Sequence, residues 1–236
     1  MNDRAFIFKT VLVCTVFFSL KVFPQSGSIT YENNASISNK FKEIKVSDPI
    51  EYKKFEEYAE YDKVINSKIE YELKFNESKS TFKTIENEDD KGIIAIRKKA
   101  FGIYYKDSIA NVLFINRRFK DYKVILTPID WKIQQEQKEI LGYNCRKATG
   151  YKICPKTNDT LSWKYEAWYS EDIKIKHGPL GTEGLPGLVL QLDYSGYHLK
   201  AKSLKFEQKV NILRPGTKFE TIKENKFDSI MKTKVN

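Results

Sequence analysis

Residues 176–188 read KHGPLGTEGLPGL and carry the chain's most distinctive chemistry. Glycine and proline at this density exclude regular helix or strand. His177, one of only two histidines, sits inside the run. Leu185-Pro186-Gly187-Leu188 fits a type II turn: Pro186 presets φ at the first central position and Gly187 accepts positive φ at the second. That would make Gly184, Pro186 and Gly187 turn residues, and it predicts that Asn is tolerated at 187 better than Val. Two uses of the loop follow. It could grip a ligand or partner through His177, Leu185, Pro186 and Leu188, with Trp168 and Tyr169 lining an adjoining groove. It could instead be a rigid corner that pins two leucines into a core, and turn chemistry favours the corner.

Other reactive types are sparse. Cys145 and His177 are the one nucleophile–base pairing on offer, but a buried small hydrophobe and a loop histidine account for them more simply. His198 alternates with Lys200 and Lys202, which predicts a solvent-facing strand position. Neither histidine lies in a metal-ligand spacing. Glu166, Glu171, Asp172 and Glu183 offer carboxylates, but three of them flank a lysine-rich stretch and read as solvated ion pairs. No serine elbow, phosphate loop or zinc signature occurs. The reading is therefore not an enzyme, with no catalytic residue, metal or cofactor assigned.

The elements that would position these residues are mostly strands. Ser28–Glu32 is a candidate first strand, and Asp48-Pro49 starts a helix. Within YKKFEEYAEYDKVI, Phe55, Tyr58, Ala59, Tyr61 and Ile65 fall at helical spacing. From Ser67 the period becomes two. Ile69, Tyr71, Leu73 and Phe75 alternate with polar residues, Asn76-Glu77-Ser78 turns the chain, and 81–85 returns. Further strands are expected at 93–96, 101–105, 109–119, 122–126, 131–140, 143–153, 161–169, 188–194 and 197–206. Lys98, Arg118, Lys123, Lys200 and Lys202 mark a wet face opposite the packed one. Residues 217–232 have helical spacing. The fold class is mostly β (α+β): a curved antiparallel meander or half-barrel with an N-terminal and a C-terminal helix packed on it, a closed barrel being the alternative.

The first residues bear on location. Arg4 and Lys9 precede the uncharged run TVLVCTVFFSL, followed by Lys21, Pro24, Gln25, Ser26 and Gly27. That is the pattern of a cleavable signal over residues 1–25, leaving 26–236 as a single domain. The run is too short to span a bilayer, so no transmembrane segment is expected after processing. Val13 stands before Cys14 where a lipoprotein box wants a small residue. Loss of the leader lowers the net charge from +10 to +8, which gives weak attraction to anionic envelope surfaces. No nucleic-acid recognition motif is present. Cys145 and Cys154 remain in a compartment that permits a disulfide, which would require a reversal near Thr149-Gly150.

The run GLPGLV at 184–189, Ala167-Trp168-Tyr169-Ser170, Gly178-Pro179 and the upstream Trp131, Ile140, Gly142-Tyr143, Cys145 and Lys147-Ala148 occur in one order. Together they resemble the GLPGLI family of exported envelope proteins, over roughly residues 120–206. The chain departs from that pattern at Lys174, where the family tends to have proline, and in a longer segment from Gly150 to Leu161. The resemblance implies export to the periplasm or outer membrane and a β-rich domain, and carries no catalytic residue. The expected role is a non-catalytic binding module for an amphipathic ligand. The alternative is an accessory protein docked on an envelope complex such as an outer-membrane transporter, and a hydrolase is the weakest reading.

Overall fold

The computed structural model describes residues 26–34, 49–107, 113–116, 122–152, 163–194, 196–214 and 219–235. Residues 1–25, the expected signal, together with Cys154, Arg118 and most of 109–119, lie outside these residues. Twelve strands form one sheet: β1 (Gly27–Asn33), β2 (Glu70–Phe75), β3 (Lys79–Thr84), β4 (Ile103–Asp107), β5 (Leu113–Asn116), β6 (Tyr122–Ile125), β7 (Asp130–Ile140), β8 (Tyr143–Lys152), β9 (Trp163–Ser170), β10 (Leu188–Tyr194), β11 (Tyr197–Phe206) and β12 (Glu220–Lys223). Among the described residues three α-helices join them: α1 (Pro49–Asn66), α2 (Gly92–Phe101) and α3 (Glu224–Val235).

The protein is mostly β, and the sheet is antiparallel at every pairing but one. The order is β12-β6-β5-β4-β3-β2-β1-β11-β10-β9-β8-β7. Two features depart from a plain meander. The first strand lies mid-sheet, between β2 and β11, and β12 adds to β6 in parallel. Alternation drives the register: β2 buries Tyr71, Leu73 and Phe75, while Glu70, Glu72 and Lys74 face out.

The sheet curls, and the segment between β9 and β10 fills its concave side. Ile173, Ile175, Leu180 and Leu185 join Ile29, Leu73, Tyr169 and Leu190 in one core. Polar bonds stitch this segment to distant strands. Lys106 on β4 donates to the carbonyl of Lys176 at 2.7 Å, and Trp131 on β7 donates its indole N–H to the carbonyl of Glu183 at 2.7 Å. Tyr31 on β1 donates to the carbonyl of Val189 at 2.5 Å.

Three expectations need correction. Residues 93–96 form no strand: they lie in α2, bracketed by Gly92 and Gly102, both at positive φ. The run IIAI looks like a strand, but Ala95, Arg97, Lys98, Lys99 and Ala100 favour helix. At helical spacing Ile94, Lys98 and Phe101 turn inward, the two apolar ones onto the core. Lys98 consequently does not face water. It is buried, with its ammonium 2.8 Å from both carboxylate oxygens of Asp90. Lys123 is buried as well. The C-terminal helix starts at Glu224, because Glu220–Lys223 is taken up by β12.

Candidate functional site

The expected loop residues are packing groups. Tyr169, Leu185 and Leu188 are buried in the core, and Pro186 alone of the Leu-Pro-Gly-Leu run is exposed. Gly184 has φ +87 and lies against Trp131, but Gly187 has no positive φ, so the type II turn is absent. Glycine is required at 187 for space instead. A Cβ there would lie 2.0 Å from the carbonyl oxygen of Ser170 and 2.6 Å from its carbon, well inside contact distance. The consequence for the site is that 184–189 locks β10 against the end of β9 at Ser170.

His177 is buried. Its Nε2 is 3.0 Å from the carbonyl of Asn76, to which it donates, leaving Nδ1 unprotonated and without a hydrogen bond. Burial, then the Lys106 ammonium, pushes its pKa down to about 4. Cys145 is a free, buried thiol; burial pushes it up to about 11, so it is not a thiolate nucleophile at neutral pH. The structure does not bring the two into one site. Trp168 is half-buried and packs against the core. Lys138 covers its ring at 4.0 Å, while that ammonium also donates to Gln191 at 2.6 Å. His198 is half-buried and bonds through Nδ1 to Asp193. Its backbone N–H donates to the side chain of Asn33 at 2.9 Å. Among the described residues no group of three His, Cys, Asp or Glu is placed to hold a metal.

A cleft of about 620 Å³ opens elsewhere, between α1, α2 and the sheet. That volume suits a small-molecule site. Four rings line it: Tyr58 from α1, Tyr71 from β2, Phe101 from α2 and Tyr197 from β11. Tyr71 meets Phe101 edge-on at 4.9 Å, and Tyr197 meets Phe101 at 6.1 Å. Burial raises the Tyr71 and Tyr197 hydroxyls above the usual phenol range, so both remain donors at neutral pH. Arg97 bridges the two helices, donating to Asn66 at 2.9 Å and pairing with Asp62. Beneath them Asn33 is buried, its Nδ2 beside the Tyr71 hydroxyl without a hydrogen bond of good geometry. At the rim Tyr58 is 64% and Ile96 63% exposed. A second groove, of about 710 Å³, is lined by Glu72, Lys83, Glu86 and Lys99 and holds no aromatic ring.

Sequence reasoning missed this cleft. Its signals were the tyrosines of α1, taken as a packing stripe, and Arg97, hidden by reading 93–96 as a strand.

With the curled sheet and its internal segment in place, comparison with known proteins becomes informative. A family model described as "N-glycanase peptide, N-terminal domain" matches residues 119–229, slightly under half of the chain. Two solved structures of PNGF-II, in space groups C2 and P21, superpose with TM-scores of 0.50 and 0.51 at 21% and 19% identity. The chain is similar to PNGF-II in fold. The match covers 88% and 87% of this chain but 32% and 33% of theirs, so the chain spans about a third of their length. At such identity the likeness concerns architecture alone. No curated protein matches the chain.

Proposed function

We propose that the chain is an exported, non-catalytic binding module of the GLPGLI type, acting at the periplasm or outer membrane, which holds an amphipathic ligand in the cleft between α1, α2 and the sheet. In this reading α1 and α3 are covers packed on the sheet, at its two flanks. The observation that carries it is the cleft's composition. Tyr58, Tyr71, Phe101 and Tyr197 offer apolar ring surface, and Asp62, Asn66 and Arg97 offer polar groups beside it. Arg97 is already balanced by Asp62, which suits an uncharged ligand with one apolar face. The N-glycanase name of the matching family makes a glycan a fitting example, since a sugar ring pairs an apolar face with hydroxyls. The non-catalytic part is supported by the raised thiol of Cys145 and the bound imidazole of His177. Among the described residues no helix is long and apolar enough to cross a membrane.

Native mass spectrometry of protein purified from its own envelope tests the module. A small molecule should co-purify with the wild type and be lost from Tyr58→Ala and Tyr197→Ala at unchanged circular dichroism. Retention of that molecule by both variants places binding elsewhere and removes the cleft.

A second reading, docking on an envelope complex, is favoured by one specific feature. Tyr58, Tyr61 and Val64 on α1 lie 45–64% exposed, and Ile96 on α2 is also exposed. Contiguous apolar surface of that kind marks interaction sites. Cross-linking from position 61 should then capture one defined envelope protein, and a ladder of unrelated products would remove this reading.

A further inference from the structure

A second cavity, separate from the cleft, lies where the two flanks of the sheet approach each other. It is lined on one side by Val124 and Leu126, at and just beyond the end of β6, and by Phe227 from α3. On the other side are Tyr165 from β9, Tyr194 from β10 and Leu180. Its volume is about 140 Å³. An apolar cavity near 150 Å³ can stay dry and accept benzene, so the size corresponds to one six-membered ring. Shape points the same way. Tyr165 and Tyr194 stack at 4.0 Å and 9° between planes, and so form a flat, rigid surface. Phe227 meets Tyr122 edge-on at 6.2 Å and stands at the opposite side.

Charge at this cavity is internally balanced. Lys152 on β8 lies 3.0 and 3.2 Å from the carboxylate oxygens of Glu224, the first residue of α3. That carboxylate also accepts the backbone N–H of Thr127 at 2.7 Å. An added ion would meet a pair already satisfied, whereas a neutral ring needs no further counter-charge. The same ammonium lies 5.9 Å from the Tyr165 ring. A small hydroxyl on the ring could reach this polar edge while the ring stays among apolar walls.

We propose that this cavity is a second ligand site, for a single neutral aromatic ring such as a phenol, and that α3 closes it through Glu224. It is independent of the cleft assignment, sharing no lining residue with it.

Titration of the full mature chain with phenol, followed by ligand-observed NMR and by Trp131 fluorescence, tests it. Trp131 meets Tyr165 edge-on at 6.2 Å and reports on that ring. Saturable binding with Kd on the order of 1 mM or tighter is expected for so few atoms. Leu126→Phe, which fills the cavity, should weaken it at least tenfold, and Tyr58→Ala in the cleft should leave it unchanged. Val124→Leu is the second filling variant if Leu126→Phe loses its folded circular dichroism. Absence of saturable phenol binding overturns the proposal, as does binding that survives a folded filling variant. Equal affinity for cyclohexanol overturns the aromatic preference and reduces the site to an apolar void.

Discussion

Gly187 shows how one residue can be needed for a reason its sequence context disguises. Pro186-Gly187 suggests a demand for positive φ, for which Asn would be a partial substitute. The actual demand is the absence of a Cβ 2.0 Å from the Ser170 carbonyl, and Asn fails that demand as fully as Ala. Gly187→Ala and Gly187→Asn should both lower stability by about 2–3 kcal/mol, through overpacking against backbone. Urea midpoints check this, and a clear advantage for Asn would restore the turn. His177 makes the other residue-scale prediction. Burial holds its pKa in the folded chain at about 4, below the ordinary histidine value of 6.5. As pH falls below 6.5 the unfolded chain takes up a proton that the folded chain refuses. Its burial therefore carries no protonation penalty above about pH 6.5, and stability falls progressively down to about pH 4, by roughly 3 kcal/mol in total. His177→Gln can keep the donor to Asn76 and should flatten the wild-type slope of urea midpoint against pH in that window. A parallel slope in the variant would locate the acid sensitivity in other groups.

Elements with one clean period were legible and those with mixed signals were not. The alternation of Ile69, Tyr71, Leu73 and Phe75 leads directly to β2, and Asn76 caps its turn by accepting the backbone N–H of Lys79 at 2.8 Å. Helix α1 was legible as a helix, but its apolar stripe does not predict its contacts. Ile65 is buried, while Tyr58, Tyr61 and Val64 are 45–64% exposed. For α2, three isoleucines in four residues outweighed the helix formers that follow. The cleft was illegible for the same reason, since it exists only when α1 and α2 stand side by side. Arg97 is the tie between them. Arg97→Ala removes two partly buried bonds and should cost about 1 kcal/mol. The specific sign is faster amide exchange in 49–66 with exchange in β8–β10 unchanged. A uniform increase across the chain would mean that α1 is secured by other contacts.

At the scale of the molecule, strand content was readable from local sequence and strand order was not. Turns such as Gly142 at φ +79 set local hairpins, and β7–β8, β8–β9 and β10–β11 pair as neighbours in sequence. Nothing local says that β1 joins β11, or that β12 lies parallel to β6. The segment at 171–187 packs Ile173, Ile175, Leu180 and Leu185 into the core that the buried face of the middle strands forms. Its glycines, read as a loop signature, are used as space: at Gly178 a Cβ would come within 2.1 Å of Thr182 Oγ1 and 2.8 Å of Val189. Phe206, Lys205 and Leu204 likewise pair with the first strand at Gly27, Ser28 and Ile29.

That placement of β1 has a kinetic consequence. One edge of β1 pairs with β2, but the other must wait for a partner made about 170 positions later, and until then that edge is open in the middle of the future sheet. Closing so long a loop precedes any reward from the contacts it enables. The chain should therefore refold in milliseconds to seconds or slower, with the 27–33 amides gaining protection together with 197–206 and after the β2–β3 hairpin. Pulse-labelled hydrogen exchange would resolve that order, and early protection of 27–33 would contradict it. While the molecule is being made, its central strand emerges long before β11, so a chain halted before residue 197 exposes the edge most able to recruit another chain.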